Sequence, residues 1–445
     1  MYRPAADGDV PQLCALLSYY RRIYRIIGLA ILGAGLLIMP FLKTLVRDPV
    51  LPGGLNLYAC YLIFLLNAVI SYLLFGYLTA IPVAYQRRDI LSRVNMGMSM
   101  LTCVIQVLLL LGSNSFYLYL LSVPVFTVIK NLLIAAVVRR RYPGLACRGE
   151  IGLEQKRGLK RKVSGILVNK LTNVSRNSID SLCISAFLGL AVTGMYNNYY
   201  VVMSTVLSCG IMVCSSMLAS VGNSIAVESR EKNYADQRLF DFLFMAAVGW
   251  AAVCLLCLMQ PFIVSWVGDR MTFGFPVVLG FSVYYYILES GAIQWTYHEG
   301  AGLWYECRYI MFGEAAANVI LNILLCRIWG VFGIILATVL SVFFTNCILC
   351  PSLIFRVYFR NGKQREYWTD HIQYAGTTVL TACASWLVCE NALPMRMLNG
   401  REVSACALCL GGRLLVCTVL AAGIFWLLWH RSERYSKALA WLKRL

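Results

Sequence analysis

The sequence predicts an all-α fold, a polytopic membrane helix bundle with about twelve transmembrane helices. Of its 445 residues 60% are hydrophobic and only 13% charged, too little polar surface for a water-soluble globule. Apolar runs able to cross roughly 30 Å of hydrocarbon recur along the whole chain, divided by polar or Gly/Pro punctuation. They lack the alternation of a membrane β-barrel, which leaves helices as the spanning architecture.

Four runs come first: Ile23 to Leu45, Leu55 to Ile81, Val94 to Leu111 and Phe116 to Val138. Residues 1–138 thus form an amino-terminal lobe. The basic stretch Arg139 to Lys162, with Pro143 and Gly144, reads as a cytoplasmic linker on the membrane surface. A carboxy-terminal lobe over 163–357 holds Val163 to Leu188, Met195 to Val221, Phe240 to Val267, Phe275 to Trp295, Tyr309 to Ile328 and Val331 to Phe355. Two additional spans, Tyr374 to Cys389 and Ala407 to Trp429, and a basic tail occupy 358–445. In that tail Tyr435, Leu439 and Leu442 oppose Lys437, Lys443 and Arg444, the pattern of a short interfacial helix. Met1 to Arg22, with Pro4, Asp7 and Asp9, lacks a cleavable-signal pattern, so the first span is expected to direct insertion itself.

Lys and Arg number 39 against 21 Asp and Glu, a net charge of +18. Counted over alternate connections, one side of the membrane receives roughly 28 basic residues and the other about 6. An even number of spans then puts both termini on the positive, cytoplasmic side. Anionic membrane lipids account for the charges, and no nucleic acid is called for.

The 18 cysteines are scattered through apolar runs and read as packing residues. Cys254 with Cys257, Cys347 with Cys350, and Cys406 with Cys409 have C-x-x-C spacing, which puts each pair on one helical face. No nearby His or second pair completes a metal or redox site, so no metal and no cofactor is assigned.

A charge at bilayer depth costs at least about 2.5 kcal/mol, so polar residues inside spans point to helix seams or wet cavities. The richest segment is Val163 to Leu188, where Asn169, Asn173, Arg176 and Asp180 follow at helical spacing with Lys170, Asn177 and Ser181 beside them. That face is expected to line a cavity. Arg176 and Asp180 stand four apart and can pair, which leaves Lys170 as the uncompensated cation. Lys130 is a second intramembrane cation, whereas Arg413, near the start of the last span, can also snorkel to a headgroup. Asp241, Glu289 and Glu314 are the acids within spans. Asp241 is expected at the hydrated interface. Glu314, on the face continued by Asn318 and Asn322, is the preferred carboxylate for proton or sodium coupling, with helix-to-helix hydrogen bonding as the alternative.

No nucleotide-binding loop, metalloprotease helix or nucleophile elbow appears, and His298, His371 and His430 are the only histidines. With connections this short, an enzyme is not expected.

Three stretches carry a resemblance to a known family. They are LLSYYRRIYRIIGLAILGAGLLIMPFL from Leu16 to Leu42, ILVNKLTNVSRNSIDSLCISAFLGLAVTGMYNNYYVV from Ile166 to Val202, and YHEGAGLWYECRYIMFGEAAANVILNILLCRIWGVFGIILATVLS from Tyr297 to Ser341. With the hydropathy profile they make the chain resemble, over nearly its whole length, the Wzx-type polysaccharide flippases of Gram-positive bacteria, in the multidrug/oligosaccharidyl-lipid/polysaccharide exporter superfamily. The resemblance implies two bundles of six helices facing across a central cavity, followed by two further helices. Against that plan the chain starts at what looks like the end of the second helix, so its amino-terminal lobe is expected to lack two. His298 stands in a loop position where the family pattern has Arg.

The family implies transfer of an undecaprenyl-diphosphate-linked oligosaccharide from the inner to the outer leaflet of the bacterial cytoplasmic membrane, alongside a polysaccharide polymerase or other export machinery. Lys170 and Arg176, with Lys130, are then expected to attract the diphosphate, while Asn169, Asn173 and Asn177 offer hydrogen bonds to sugars. The rival readings are a drug or metabolite cation antiporter of the same superfamily, whose cavity would favour acids, and a non-functional truncated fragment.

Overall fold

A computed structural model of the chain describes residues 4, 7–46, 55–113, 115–152, 154, 178–360, 362–394 and 403–443. The regular elements among them are helices and no strand occurs, so the chain is an all-α, multi-pass membrane bundle. Among the described residues nine helices are long and apolar enough to cross a membrane, or ten if a bent pair is taken as one span. The chain divides into two compact units, Met1–Lys162 and Val163–Leu445.

In the first unit α1 (Val10–Ile38) starts at Asp9, whose Oδ1 accepts from the Gln12 backbone N at 2.9 Å, with Pro11 in the first turn where its missing N–H costs nothing. Asn56 caps α2 (Leu57–Leu73) in the same way, and α3 (Arg88–Ser113) and α4 (Phe116–Arg141) follow. Packing runs α1 on α2, α2 on α4, α4 on α3. Lipid tails are as apolar as Leu, so these contacts stabilise by close approach rather than by exclusion of water. Gly28 and Gly35 permit that approach, since a Cβ on Gly35 would stand 2.3 Å from Leu65 Cδ1. The opened surface lets Tyr61 donate its hydroxyl to the Gly35 carbonyl at 2.8 Å. Beyond α2 the chain bends by 54° into Gly76–Ala84, where Tyr77, Leu78 and Ile81 pack on Leu17, Ile134 and Val138. The first part of the expected linker belongs to this unit: Arg139 to Arg141 form the last turn of α4, and Ala146 N donates to Cys14 Sγ on α1 at 3.4 Å.

The second unit begins among the described residues with α5 (Ser178–Phe187), the end of the expected span Val163 to Leu188. Then come α6 (Leu190–Val227), α7 (Arg230–Val267), α8 (Phe275–Ser290), α9 (Ala292–Gly300) and α10 (Trp304–Phe343). Two π-helical turns, Phe344–Leu349 and Phe355–Phe359, carry α10 onward before α11 (Gln364–Ala392), α12 (Val403–Trp429) and α13 (Glu433–Leu442). The hub is α7, which packs against α6, α8, α9, α11, α12 and α13. Its buried Phe242, Met245, Met259 and Ile263 share one core with Tyr196, Tyr199, Phe281, Tyr284, Ile334 and Ile335.

Helix α10 reverses at Gly330, whose φ of 58° and ψ of −132° suit glycine alone. In a straight helix Asn318 and Thr338 would lie about 30 Å apart, yet Asn318 Nδ2 donates to Thr338 Oγ1 at 2.9 Å. Gly333 completes the hairpin, because a Cβ there would stand 2.0 Å from the Leu325 carbonyl oxygen. The reversal falls between the expected spans Tyr309 to Ile328 and Val331 to Phe355.

Two expectations near the ends of spans need correction or completion. Asp241 is not hydrated: it is 4% exposed, because α11 covers this end of α7 with Tyr367, Asp370 and Tyr374. Arg238 binds Asp370 at 2.6 Å and Glu366 at 3.0 Å there, and Arg434 of α13 pairs with Asp370 as well. Arg413 does not snorkel. It is fully buried, donates to the carbonyls of Leu393 at 2.7 Å and Cys257 at 2.9 Å, and pairs with Glu390 at 3.0 Å. The tail helix is present as α13, where Ser432 Oγ accepts from Tyr435 N and Trp441 meets Phe240 edge-on.

Candidate functional site

Besides the ion pairs around Asp370, two gatherings of polar side chains among the described residues of the second unit are of opposite character. The first is a closed knot between α5, α6 and both arms of α10. Asp180 accepts from Asn322 Nδ2 at 2.7 Å, Thr338 Oγ1 at 3.0 Å and the Tyr196 hydroxyl at 3.3 Å. Asn322 also donates to Asn318 Oδ1 at 3.1 Å, and Asn318 reaches Ser341 Oγ at 3.3 Å. These six residues are all at most 4% exposed. A buried carboxylate met by several donors is a satisfied structural group, and the knot adds directional bonds to the apolar core that α5, α6 and both arms of α10 share.

The second is a cavity of about 600 Å³ bordered by α6, α8, α9, α10 and the first π-helical turn. Aromatic walls come from Tyr200, Trp295 and Trp304, the two tryptophans stacked with centroids 6.0 Å apart. Carboxyls come from Glu289, Glu299 and Glu314, and no Lys or Arg is among the described residues that line it. The cavity lies where the helical run of α8 and α9 is interrupted at Gly291. An interruption inside a membrane exposes carbonyls that must be satisfied within the protein. Asn346 Nδ2 donates to the Leu288 carbonyl at 3.3 Å, and His371 Nε2 lies 3.1 Å from that of Ser290. Asn346 Oδ1 in turn accepts from Trp295 Nε1 at 3.1 Å and so fixes the ring on the cavity wall. Gly291 allows Asn346 to approach, since a Cβ there would make a tight contact of 3.1 Å with Asn346 Cβ.

Glu289, two residues before the interruption, is 2% exposed, and neither carboxyl oxygen has a hydrogen-bond partner among the described residues. It lies against Gly210 of α6, where a Cβ would stand 2.4 Å from Glu289 Oε1. An unpartnered carboxyl in so apolar a setting is completed by a proton or a bound cation.

Of the residues singled out from the sequence, Lys170, Arg176, Asn169, Asn173 and Asn177 lie outside the described residues. Asp180 sits in the closed knot and is not among the residues that border the cavity. Glu314 does border it, at 6% exposure. Asn318 and Asn322, on the same face of α10, turn to Asp180 instead. Lys130, in the first unit, is half-buried on α4 beside the buried Asn131. His298 is not a loop residue: it belongs to α9, 1% exposed, with Nε2 3.0 Å from the Cys350 carbonyl and Nδ1 3.4 Å from Cys307 Sγ. The connection to α10 begins only after His298: Leu303 N bonds back to the His298 carbonyl and Gly302 N to that of Glu299, which closes the end of α9 just beyond the histidine. Glu289 was visible as an acid within a span, but its isolation depends on Gly210, about eighty residues earlier, and on the interruption at Gly291. Compared with known protein families and with curated proteins, the sequence finds no match.

Proposed function

We propose that this chain is a membrane transporter that moves an undecaprenyl-diphosphate-linked oligosaccharide across the bacterial cytoplasmic membrane by alternating access, with both termini in the cytoplasm. No bond is made or broken in this cycle. The observation that carries the transport reading is Glu289, a buried carboxyl without a hydrogen-bond partner among the described residues, beside an interrupted helix in a 600 Å³ cavity. Interrupted helices near the middle of the membrane are where transporters place substrate and coupling-ion sites. Glu289 and Glu314 take the coupling proton or cation.

The substrate reading rests on the resemblance of Ile166 to Val202 and on the chemistry of the cavity wall. Stacked Trp295 and Trp304 offer apolar faces to the C–H faces of sugar rings, and Glu299 and Asn346 offer acceptors and donors to hydroxyls. Lys170 and Arg176 meet the diphosphate, whose charge needs cations once it leaves water. Purified protein in liposomes carrying a fluorescent lipid-diphosphate oligosaccharide tests the proposal: wild type exposes the headgroup to an added quencher faster than Glu289→Gln protein does. Equal rates for both would overturn it.

A second reading, a drug or metabolite cation antiporter, is favoured by one observation: the carboxyls in the cavity wall stand without a basic residue beside them among the described lining residues. In that case a lipophilic cation, and not the lipid-linked sugar, is carried by wild type and lost in Glu289→Gln.

A further inference from the structure

Cys257 of α7, Cys389 of α11 and Cys417 of α12 are fully buried, and their sulfurs lie within 4.8 Å of one another. Cys254, one turn before Cys257, is partly buried and packs on the same cluster, beside the three converging sulfurs. None of the four is in a disulfide. Their surroundings are apolar, with Val253, Leu258, Trp386 and Val416 around them. One turn before Cys417, the buried guanidinium of Arg413 donates to the Cys257 carbonyl.

A buried cysteine is usually a small apolar packing residue. What distinguishes these is convergence, since sulfurs from three helices face one point. Around a zinc ion at about 2.3 Å, tetrahedral thiolates stand about 3.8 Å from one another, within the spacing seen here. The donor set holds only sulfur, which selects soft metals over magnesium or calcium.

We infer that Cys257, Cys389 and Cys417, with Cys254 as fourth ligand, bind a soft d10 metal ion, Zn²⁺ or Cu⁺, which pins α11 and α12 to α7. Each coordinating thiol releases its proton to solution as the metal–sulfur bond forms, and no electron is transferred. Arg413 offsets part of the negative charge that the thiolates bring. Nothing in this inference depends on the transport reading.

The full chain, purified in detergent under reductant and without chelator, carries close to one equivalent of zinc or copper by inductively coupled plasma mass spectrometry, and the element found decides between the two ions. In Cys417→Ser protein the content falls about fivefold or more, while Cys383→Ser, at an exposed position on α11, leaves it unchanged. Cobalt(II) added to stripped wild type gives intense thiolate-to-metal absorption in the near ultraviolet, and the Cys257→Ser/Cys389→Ser protein does not. Metal-free wild type that takes up added Zn²⁺ or Cu⁺ no better than the variant lacking all four thiols would overturn the inference. So would a disulfide among the four in protein whose thiols were blocked before lysis. Should the serine variants fail to fold, the metal content and cobalt spectrum of wild type decide the matter alone.

Discussion

Asp180 and Glu289 are both buried carboxyls in the second unit, 1% and 2% exposed, yet their surroundings are opposite. Asp180 is met by Asn322, Thr338 and Tyr196, whereas Glu289 lies against Gly210 at the cavity wall with no hydrogen-bond partner among the described residues. Burial alone therefore says little about role. The donors around a carboxyl decide whether it is a fixed part of the bundle or a place where something must still bind.

The largest expected effect breaks the satisfied side of this comparison. Asp180→Ala leaves the donors of Asn322, Thr338 and Tyr196 buried and unpaired, at a cost of about 3 kcal/mol or more. A thermal scan in detergent shows it as a clearly lowered Tm or as loss of monodisperse protein. Next comes Gly330→Ala, which forces an L residue into the left-handed region at a cost of about 1–2 kcal/mol and separates the arms of α10 that hold the knot. Its Tm falls less than that of Asp180→Ala.

Glu289→Gln gives the reverse pattern. Stability changes by less than about 1 kcal/mol because no hydrogen bond is lost, while transport in liposomes drops at least about tenfold and loses its response to an imposed pH or sodium gradient. A large Tm loss in this variant would erase the contrast with Asp180. Gly210→Ala, whose new methyl displaces the Glu289 carboxyl, lowers transport by a smaller factor, roughly threefold to tenfold, with the coupling ion unchanged. The smallest effect is expected for Trp295→Phe, which keeps the aromatic wall but drops the hydrogen bond to Asn346. Losing about 1 kcal/mol there weakens protection of the cavity by a bound oligosaccharide analogue about fivefold in a labelling assay at Cys214, which borders the cavity.

The sequence made the helices legible because apolar runs of membrane length have few alternative structures, and Gly330 could be read as a break because it divides two such runs. The face Glu314, Asn318, Asn322 was also legible, since residues four apart share one side of a helix. What these residues touch was not. The pairing of Asp180 with Arg176 that local spacing suggests lies outside the described residues, and two of the described partners of Asp180, Asn322 and Thr338, are 142 and 158 residues further along the chain. The same distance hid the sulfur cluster, because Cys254 and Cys257 find their companions on α11 and α12. Asp241 and Arg413 were misjudged or left open for a related reason. A position near the end of a span indicates water only while no other helix lies across it.

The hairpin at Gly330 also bears on how the nascent chain enters the bilayer. Asp180 leaves the ribosome 16 residues before Tyr196 but well over a hundred before Asn322 and Thr338, so its set of donors is completed only late in synthesis. Because Asn318 finds Thr338 and Ser341 only after the turn has been made, the two arms are best released into lipid together, and the knot closes late in biogenesis.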